Sequence, residues 1–240
     1  MTWNFGGANR TSYISIPEFR SATTRTLSII MLNSYANLVN KCRPLTIAGH
    51  DRAQWGKIGG DSPQGVEPPV IMEATRYFAT LNAGDPAGAE LSLFISTVYK
   101  PSSPVSVLKN RSIMHAIDNP MVQFVFHKPS SRGGRSNLAS ELSGHGLIVE
   151  DERLDSDDRT ENIIWNHHKI GGYPFFTHWN KSIVEQSRAL LQEGYLHFLQ
   201  FAFPDDKDGP ISGTWPFADL VFHVFSMEVK GQVDFRYCWG

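Results

Sequence analysis

Five histidines lie between residues 163 and 240, where side chains of this type could bind a metal ion or transfer protons. A metal site needs ligands that converge, commonly from positions four apart on a helix or two apart on a strand. His167 and His168 are adjacent and point to opposite sides of an extended segment, and neither an HExxH nor a CxxC motif is present. We therefore predict no metal ion and no cofactor. The five are His167, His168, His178, His197 and His223.

The nucleophilic side chains form no recognisable catalytic motif. The chain has no Gly-x-Ser-x-Gly elbow, and Ser143-Gly144-His145-Gly146 is typical of a loop. Cys42 lies between Lys41 and Arg43 near the end of a predicted helix, a setting that can lower the pKa of a thiol. The only other cysteine is Cys238, and the pair is predicted to be two free thiols in a reducing compartment.

An acidic stretch follows the middle of the chain. Between Glu150 and Glu161 there are seven acidic residues and two arginines. This composition suits either a solvated linker or a docking surface for a basic partner. It resembles a calcium loop only in part, because Arg159 replaces a ligand and the turn glycine is missing. The acidic residues predicted to bind a partner are Glu150, Asp151, Glu152, Asp155, Asp157 and Asp158.

Two tryptophans lie in loop-like sequence, Trp179 beside Asn180 and Trp215 before Pro216. An aromatic side chain in a loop is a candidate anchor for a protein interface, and core packing is the alternative. We include both tryptophans in the predicted partner-binding surface.

Three short sequences occur twice in the same order, which indicates a diverged internal duplication. The paired glycines of the KIGG segments predict turns with positive φ. An anion site is the alternative, although a P-loop needs its glycine before the lysine and a hydroxyl residue directly after it. The paired segments are 57–60 with 169–172, 91–96 with 195–200, and 125–127 with 221–223. The last pair ends in His127 and His223, which favours one structural role for both.

Periodicity predicts helices and strands in both halves. A helix that begins at Pro17 is expected to end at Pro44. Further helices are predicted over 70–81 and 181–192, and strands over 91–99, 122–127, 147–149, 195–203, 220–229 and 232–239.

These elements predict a strand-rich α+β fold with two pseudo-repeated halves, each with a helix and antiparallel strands. The halves are expected to form one compact domain. Its predicted parts are an N-terminal strand and helix cap (1–44), a first half (45–128), a polar acidic linker (129–162) and a second half (163–240).

The composition is that of a packed globular protein, with 41% hydrophobic and 19% charged residues among 240. A net charge of −2 does not suggest a nucleic-acid binder, which normally carries a basic surplus. Neither a signal peptide nor an apolar run of membrane-spanning length is present. We expect a cytoplasmic protein with no membrane partner.

The segment His168-Lys169-Ile170-Gly171-Gly172-Tyr173-Pro174 resembles the YwqG-like family, a bacterial domain of unknown function. The resemblance extends through the helix that follows, the strand over 195–203 and the final segment 234–237. It implies an α+β fold with pseudo-repeated halves and supplies no catalytic residues. Members of this general kind occur in bacterial toxin–immunity settings, so the resemblance also implies an antidote role.

We therefore predict a non-enzymatic immunity protein, a monomer when free, whose partner is a cognate toxin such as a nuclease. A contact-dependent system such as type VI secretion would deliver this toxin. The alternative is a small-ligand-binding protein or enzyme with a site between the halves, around the KIGG segments and His167, His168 and His223. A structural subunit of a larger assembly is a third interpretation.

Overall fold

A computed structural model describes residues 38, 40–49, 55–71, 74–82, 89–96, 113–116, 121–131, 133–134, 136–155, 167–176, 181–204, 211–213, 215–217 and 220–240. No helix in these ranges is long and apolar enough to span a membrane. The strands are β1 (Lys41–Ala48), β2 (Gly56–Ile58), β3 (Thr75–Asn82), β4 (Glu90–Ser96), β5 (Met114–His115), β6 (Val122–His127), β7 (His145–Val149), β8 (Arg153–Leu154), β9 (His168–Gly171), β10 (Leu196–Phe201), β11 (Phe222–Val229) and β12 (Gln232–Trp239). The α-helix of the described residues is α1 (Lys181–Gln192).

The strands form a single antiparallel sheet of 12 members. Their order is β5-β12-β11-β10-β9-β1-β7-β2-β3-β4-β6, with β8 paired to β1. The sheet curls into a half-barrel. The curl brings β6 and β12, near opposite ends of the strand order, close enough for Phe124 to stack on Phe235 with ring centroids 4.2 Å apart. The prediction of a strand-rich fold with antiparallel strands is confirmed.

The concave face of the sheet holds a core rich in aromatic side chains. Phe78 of β3 lies at its centre, with ring centroids 5.2 Å from Phe201, 5.2 Å from Phe217 and 5.6 Å from Trp215. Edge-to-face contacts of this kind add to the free energy of burying the rings. Because Phe78 lies on β3 and Phe201 lies on β10, in opposite halves of the sheet order, the two halves share one core.

The convex face is covered differently at its two ends. At one end α1 packs Ile183 into a cluster that contains Phe225 of β11 and Cys238 of β12. At the other end Val66 and a 3-10 turn over Ser136–Leu138 cover the outer side chains of β3 and β4. An amphipathic helix therefore protects one end of the sheet, and irregular chain protects the other.

The helix predicted over 70–81 is wrong, because Thr75–Asn82 forms β3. Both faces of β3 are buried, with Tyr77 in the outer cluster and Phe78 in the inner core. The pairing with β4 shifts between Tyr77 and Ala79, which places Phe78 at a β-bulge. Burial on both faces and the bulge removed the alternation that indicates a strand, and the remaining apolar spacing matched a helix.

The prediction that a helix ends at Pro44 is also wrong, because Lys41–Ala48 forms β1. The earlier part of this predicted helix, residues 17–37, lies outside the described ranges. Proline in a central strand removes a ladder donor. Here β7 pairs with β1 from Leu45 onward and β8 pairs with it at Lys41 and Cys42. Pro44 therefore faces the β7–β8 connection, where its carbonyl accepts the backbone N–H of Glu150 at 2.9 Å.

The remaining predicted strands and the second helix agree with the structure. The helix over 181–192 is confirmed, and the strand predictions correspond to β4, β6, β7, β10, β11 and β12 within a few residues. Both β7 and β8 fall inside the range 129–162, which therefore contributes strands beside β1 at the middle of the sheet.

Two of the three sequence correspondences are misplaced in the sheet. The two KIGG segments do occupy equivalent positions. The strands β1 and β7 are central in the sheet, and β9 lies beside β1 as β2 lies beside β7. However, 91–96 lies on β4, two strands from β2, whereas 195–200 falls on β10, directly beside β9. His127 ends β6 and His223 lies on β11, so the shared role predicted for these two histidines is wrong.

Candidate functional site

The acidic residues that follow β7 lie at the surface, and two of them are paired. Arg153 donates to Glu150, and Lys41 Nζ lies 2.7 Å from Glu152 Oε1. The hydrogen bond from Lys41 lowers the pKa of Glu152. Asp151 is exposed between them. The predicted acidic surface is therefore present here, with most of its charge offset by neighbouring bases.

Asp155 does not belong to that surface, which corrects the prediction that it binds a partner. Its carboxylate is buried and accepts Lys169 Nζ at 2.8 Å and the backbone N–H of Tyr173 at 2.7 Å. The ion pair joins the end of the acidic stretch to the second KIGG segment. Local composition could not reveal this burial, because the cation lies 14 residues along the chain. Asp157 and Asp158 lie outside the described residues.

Trp215 is also misassigned as an interface anchor, because it belongs to the inner core. Its side chain is 8% exposed and contacts Phe78, Phe217 and His168. Packing, the alternative considered for this residue, is what the structure shows. Trp179 lies outside the described residues.

Leu154 is an exposed apolar residue that sequence reasoning missed. It is 78% exposed, the highest value among the exposed large hydrophobic residues that the structure describes, and it lies on β8 opposite Lys41 of β1. A leucine in sequence resembles any core leucine, so no local signal marks it. We refer to residues 150–154 as the ridge: a short segment of four charged residues that ends in an exposed leucine.

Both KIGG segments form turns with positive φ, as predicted. The φ angles are +70° and +71° at Gly59 and Gly60, and +73° and +72° at Gly171 and Gly172. The turns also bring backbones into contact, since Gly172 N donates to Leu38 O at 2.8 Å. Glycine is needed at Gly172 for a second reason, because a Cβ there would lie 1.9 Å from Asp155 Oδ2.

Replacing Gly172 with alanine is expected to lower the free energy of unfolding by about 3 kcal/mol, from the left-handed backbone and from displacement of the ion pair. Gly65→Ala is the matched control, since Gly65 has φ +73° and a Cβ added there would meet only open space. Gly65→Ala should lower the free energy of unfolding by about 1–2 kcal/mol, the cost of the left-handed backbone alone. Urea denaturation of both variants measures the difference, and equal losses would contradict the steric argument.

The histidines of the second half do not converge on one site. His168 packs in the core against Phe201, with its Nδ1 accepting Ala202 N at 3.1 Å, whereas His223 lies on the convex face. His167 contributes its carbonyl to Gln200 Nε2 at 2.9 Å. His178 lies outside the described residues, and no metal-ligating cluster of three occurs among the residues that are described.

His197 and His223 form a buried hydrogen-bonded chain under the segment 172–176. His197 Nδ1–H donates to Gly172 O at 3.1 Å, which leaves His197 Nε2 to accept His223 Nδ1–H at 3.3 Å. His223 Nε2 is buried and has no hydrogen-bond partner among the described residues. With both rings neutral, this pattern places the one proton of each ring on Nδ1.

Burial keeps these two histidines uncharged. Desolvation, followed by the charge of Lys169, lowers the pKa of His197 to about 3. Desolvation also lowers the pKa of His223 well below its ordinary value, with His197 and Lys169 adding to the effect. Both rings are therefore neutral near neutral pH.

The two cysteines are buried, separate thiols. Desolvation, with the nearby Asp155 charge, raises the pKa of Cys42 to about 11, and burial also raises the pKa of Cys238. The suggestion that Cys42 has a lowered pKa at a helix end is therefore wrong, because it lies in β1. A thiolate nucleophile is not available at neutral pH.

The Ser143–His145 pair joins two loops. Ser143 Oγ lies 2.6 Å from His145 Nε2 and accepts the backbone N–H of Ser212 at 3.0 Å. Ser143 N in turn donates to Ser212 O at 2.8 Å. These contacts attach the segment 211–213, which precedes Trp215, to the loop before β7.

A partly exposed polar cluster lies where β5 meets β12, and sequence reasoning missed it. Asp234 accepts hydrogen bonds from His115, Tyr195 and Arg236, the last at 3.2 Å from Nε to Oδ2. Arg236 and Asp234 alternate along β12, which was the only available signal. His115 and Tyr195 are distant in sequence, so only the pairing of β5 with β12 brings them together. We call these four residues the Asp234 cluster.

Comparison with known proteins gives no relative. No family model, no curated protein and no solved structure matches this chain.

Proposed function

We propose that this chain is a non-enzymatic binding protein that neutralises a cognate protein toxin, in the manner of a bacterial immunity protein. The resemblance to the YwqG-like family suggests this role, and the ridge supplies the surface. The observation that carries the proposal is Leu154, which is 78% exposed beside charged side chains, four of which form two surface ion pairs. An apolar anchor within a polar surround is the usual arrangement of an interface hot spot.

Charge on the ridge would guide association more than it would provide affinity. Glu150, Asp151 and Glu152 contribute three negative charges, and Lys41 and Arg153 contribute two positive charges, so the local sum is −1. A toxin that acts on nucleic acid has a basic substrate groove. The ridge would enter or cover such a groove, with Leu154 supplying burial and the acids setting orientation and rate of association. The protein would act as a cytoplasmic monomer before it binds.

Leu154→Asp is expected to weaken binding of the toxin by about 30-fold or more, the effect of removing a hot spot. Val229→Asp is the control, because Val229 is 39% exposed at the distant end of β11. The partner is first captured from lysate of the source organism with the full chain, identified by mass spectrometry, and then titrated with each variant. A toxin that binds Leu154→Asp as tightly as the unchanged chain would remove the ridge from the interface.

Asp151→Lys tests the electrostatic part of the proposal. This change reverses an exposed charge with no ion pair in the described residues, so we expect slower association and little change in dissociation. Stopped-flow measurements at two salt concentrations would detect the effect. Glu185→Lys on α1, an exposed acid away from the ridge, should leave the association rate unchanged.

We also infer that the two ends of the sheet are diverged copies of one unit, although not through the sequence matches at 91–96 and 125–127. From the middle of the sheet outward, the order β7-β2-β3-β4-β6 on one side corresponds strand for strand to the order β1-β9-β10-β11-β12 on the other. The pairing shifts at the same place in both, between Tyr77 and Ala79 of β3 and between His197 and Leu199 of β10. Superposition of β2, β3, β4 and β6 on β9, β10, β11 and β12 in a crystal structure of the chain would test this, and a mismatch of the two bulges would contradict it.

A small-ligand site between the two halves is the second candidate function. The residues first suggested for it, His167, His168 and His223, lie on different faces or are buried and cannot line one cleft. The observation that favours a site is the Asp234 cluster. There His115, from the connection between β4 and β6, meets side chains of the second half.

A further inference from the structure

The Asp234 cluster places two nitrogen-bearing side chains side by side at the surface. Arg236 and His115 are directly opposite each other in the β5–β12 pairing, so both side chains project from the same face of the sheet. The side chains of His115 and Arg236 are 20% and 33% exposed, and that of Asp234 is 14% exposed beneath them. Solvent therefore reaches the two side chains more easily than it reaches the acid that connects them.

The guanidinium of Arg236 is oriented by the hydrogen bonds of its Nε–H group. Its Nε–H donates to Asp234 Oδ2 at 3.2 Å and to Tyr195 OH at 3.3 Å. Its Cζ lies 5.9 Å from the centroid of the Tyr195 ring, within reach of a cation–π contact. The Nη1 and Nη2 groups have no hydrogen-bond partner among the described residues. Four N–H donors are thus left on a fixed, partly exposed plane.

The neighbours of Arg236 keep Tyr195 and Arg236 protonated at neutral pH. Burial and donation to Asp234 raise the pKa of Tyr195, so the phenol keeps its proton and remains a donor to the carboxylate. Burial lowers the pKa of Arg236, but the hydrogen bond with Tyr195 and the charge of Asp234 raise it by more. Both oxygens of Asp234 are already used by His115, Tyr195 and Arg236, so this acid orients the donors.

We propose that the Asp234 cluster is a binding site for a small phosphate-bearing ligand, recognised by the outer nitrogens of Arg236 with His115 beside them. A guanidinium fixed through Nε presents parallel N–H donors that match two oxygens of a phosphate group. Asp234 offsets one positive charge, so the site would select by bidentate geometry more than by net charge. The site lies on a different surface from the ridge and does not depend on the toxin proposal.

The test is a titration of the full chain with inorganic phosphate, methyl phosphate and acetate, followed by NMR of arginine side-chain and histidine ring signals. We expect saturable shifts at Arg236 and His115 with both phosphates, and weaker binding of acetate. Arg236→Gln should weaken phosphate binding at least about tenfold, as loss of a bidentate charged contact predicts. Arg236→Lys keeps the charge and should be weakened nearly as much, because an ammonium lacks the planar fork.

Arg153→Gln is the matched control, since Arg153 is an exposed, acid-paired arginine on the ridge. It should bind phosphate as the unchanged chain does. Retained phosphate binding in Arg236→Lys and Arg236→Gln would overturn the proposal, and so would the absence of saturable shifts. Tighter binding of acetate than of phosphate would overturn the assigned ligand class. If Arg236→Gln does not fold, Arg236→Lys alone decides between these outcomes.

Discussion

Lys169→Met is expected to lower the free energy of unfolding by about 3–5 kcal/mol, the loss typical of breaking a buried ion pair. The side chains of Lys169 and Asp155 are both 0% exposed, and their charged atoms are 2.8 Å apart. Methionine fills a similar volume, but it leaves the Asp155 carboxylate buried without its cation and still accepting the N–H of Tyr173. A buried carboxylate that has lost both its solvation and its cation is destabilised, because the remaining hydrogen bond from a neutral N–H does not offset that loss.

The chain contains a natural control for this change. Lys57 occupies the same position in the first KIGG segment, but it is half-buried and has no ion pair with a described residue. Lys57→Met should change stability by only about 0.5 kcal/mol, as surface substitutions usually do. Urea denaturation with unchanged m-values would establish that each difference is one of stability. Losses of equal size in the two variants would contradict the special role of the second KIGG segment.

Removing both charges separates the ion pair from the packing around it. In Lys169→Met/Asp155→Leu no charge remains buried, so we expect part of the lost stability to return. The recovery should be incomplete, because the N–H of Tyr173 loses its acceptor and a buried unpaired donor costs about 1–3 kcal/mol. A double variant less stable than Lys169→Met would show that Asp155 contributes without its lysine.

Acidification from pH 7 to pH 5 is expected to remove about 4 kcal/mol of stability through His197 and His223. An unfolded histidine has a pKa of roughly 6.5 and binds a proton below that pH. In the folded state the pKa of His197 is about 3 and that of His223 is also strongly lowered. Their contribution is therefore fully present above the unfolded pKa and is lost as pH falls below it, at about 1.4 kcal/mol per pH unit for each histidine.

His223→Leu tests this linkage through the slope of stability against pH. The substitution leaves one neutral buried histidine, so the loss between pH 7 and pH 5 should fall to about half. The absolute stability of the variant is not the readout, because packing against Phe176 also changes. Between pH 8 and pH 7 the two curves should be nearly parallel, since few histidines titrate there. An unchanged slope below pH 7 would show that the buried pair is not the source of acid sensitivity.

Local patterns predicted the elements whose physics is local. The helix over 181–192 is followed by Gly194 with φ +96°, a stop signal that sequence can show. Strand β12 alternates because one face meets the inner core while the other carries Asp234 and Arg236. By contrast, β3 was missed because it is buried on both faces and bulges at Phe78, so its pattern carries no period of two.

Candidate site residues were harder to predict because burial depends on partners far along the chain. Asp155 belongs by composition to an exposed acidic stretch, yet its side chain is buried in an ion pair with Lys169. Trp215 follows a loop-like sequence, yet it completes the aromatic core against Phe78. For Asp155 and Trp215, a contact between distant segments reversed what composition suggested. The exposure of Leu154 could not be read from its residue type, because an apolar side chain within an acidic stretch can be either buried or exposed.

The sequence by itself determined that this protein is a strand-rich globular chain, that its KIGG segments are turns, and where most of its strands and α1 lie. These features follow from side-chain periodicity and from glycine's access to positive φ, which act over a few residues. Only the tertiary structure decided which charges are buried, which apolar side chain remains exposed, and that His115 meets Asp234 and Arg236. Those outcomes depend on the order of strands in a curled sheet, because register and closure bring together residues that are far apart in the chain.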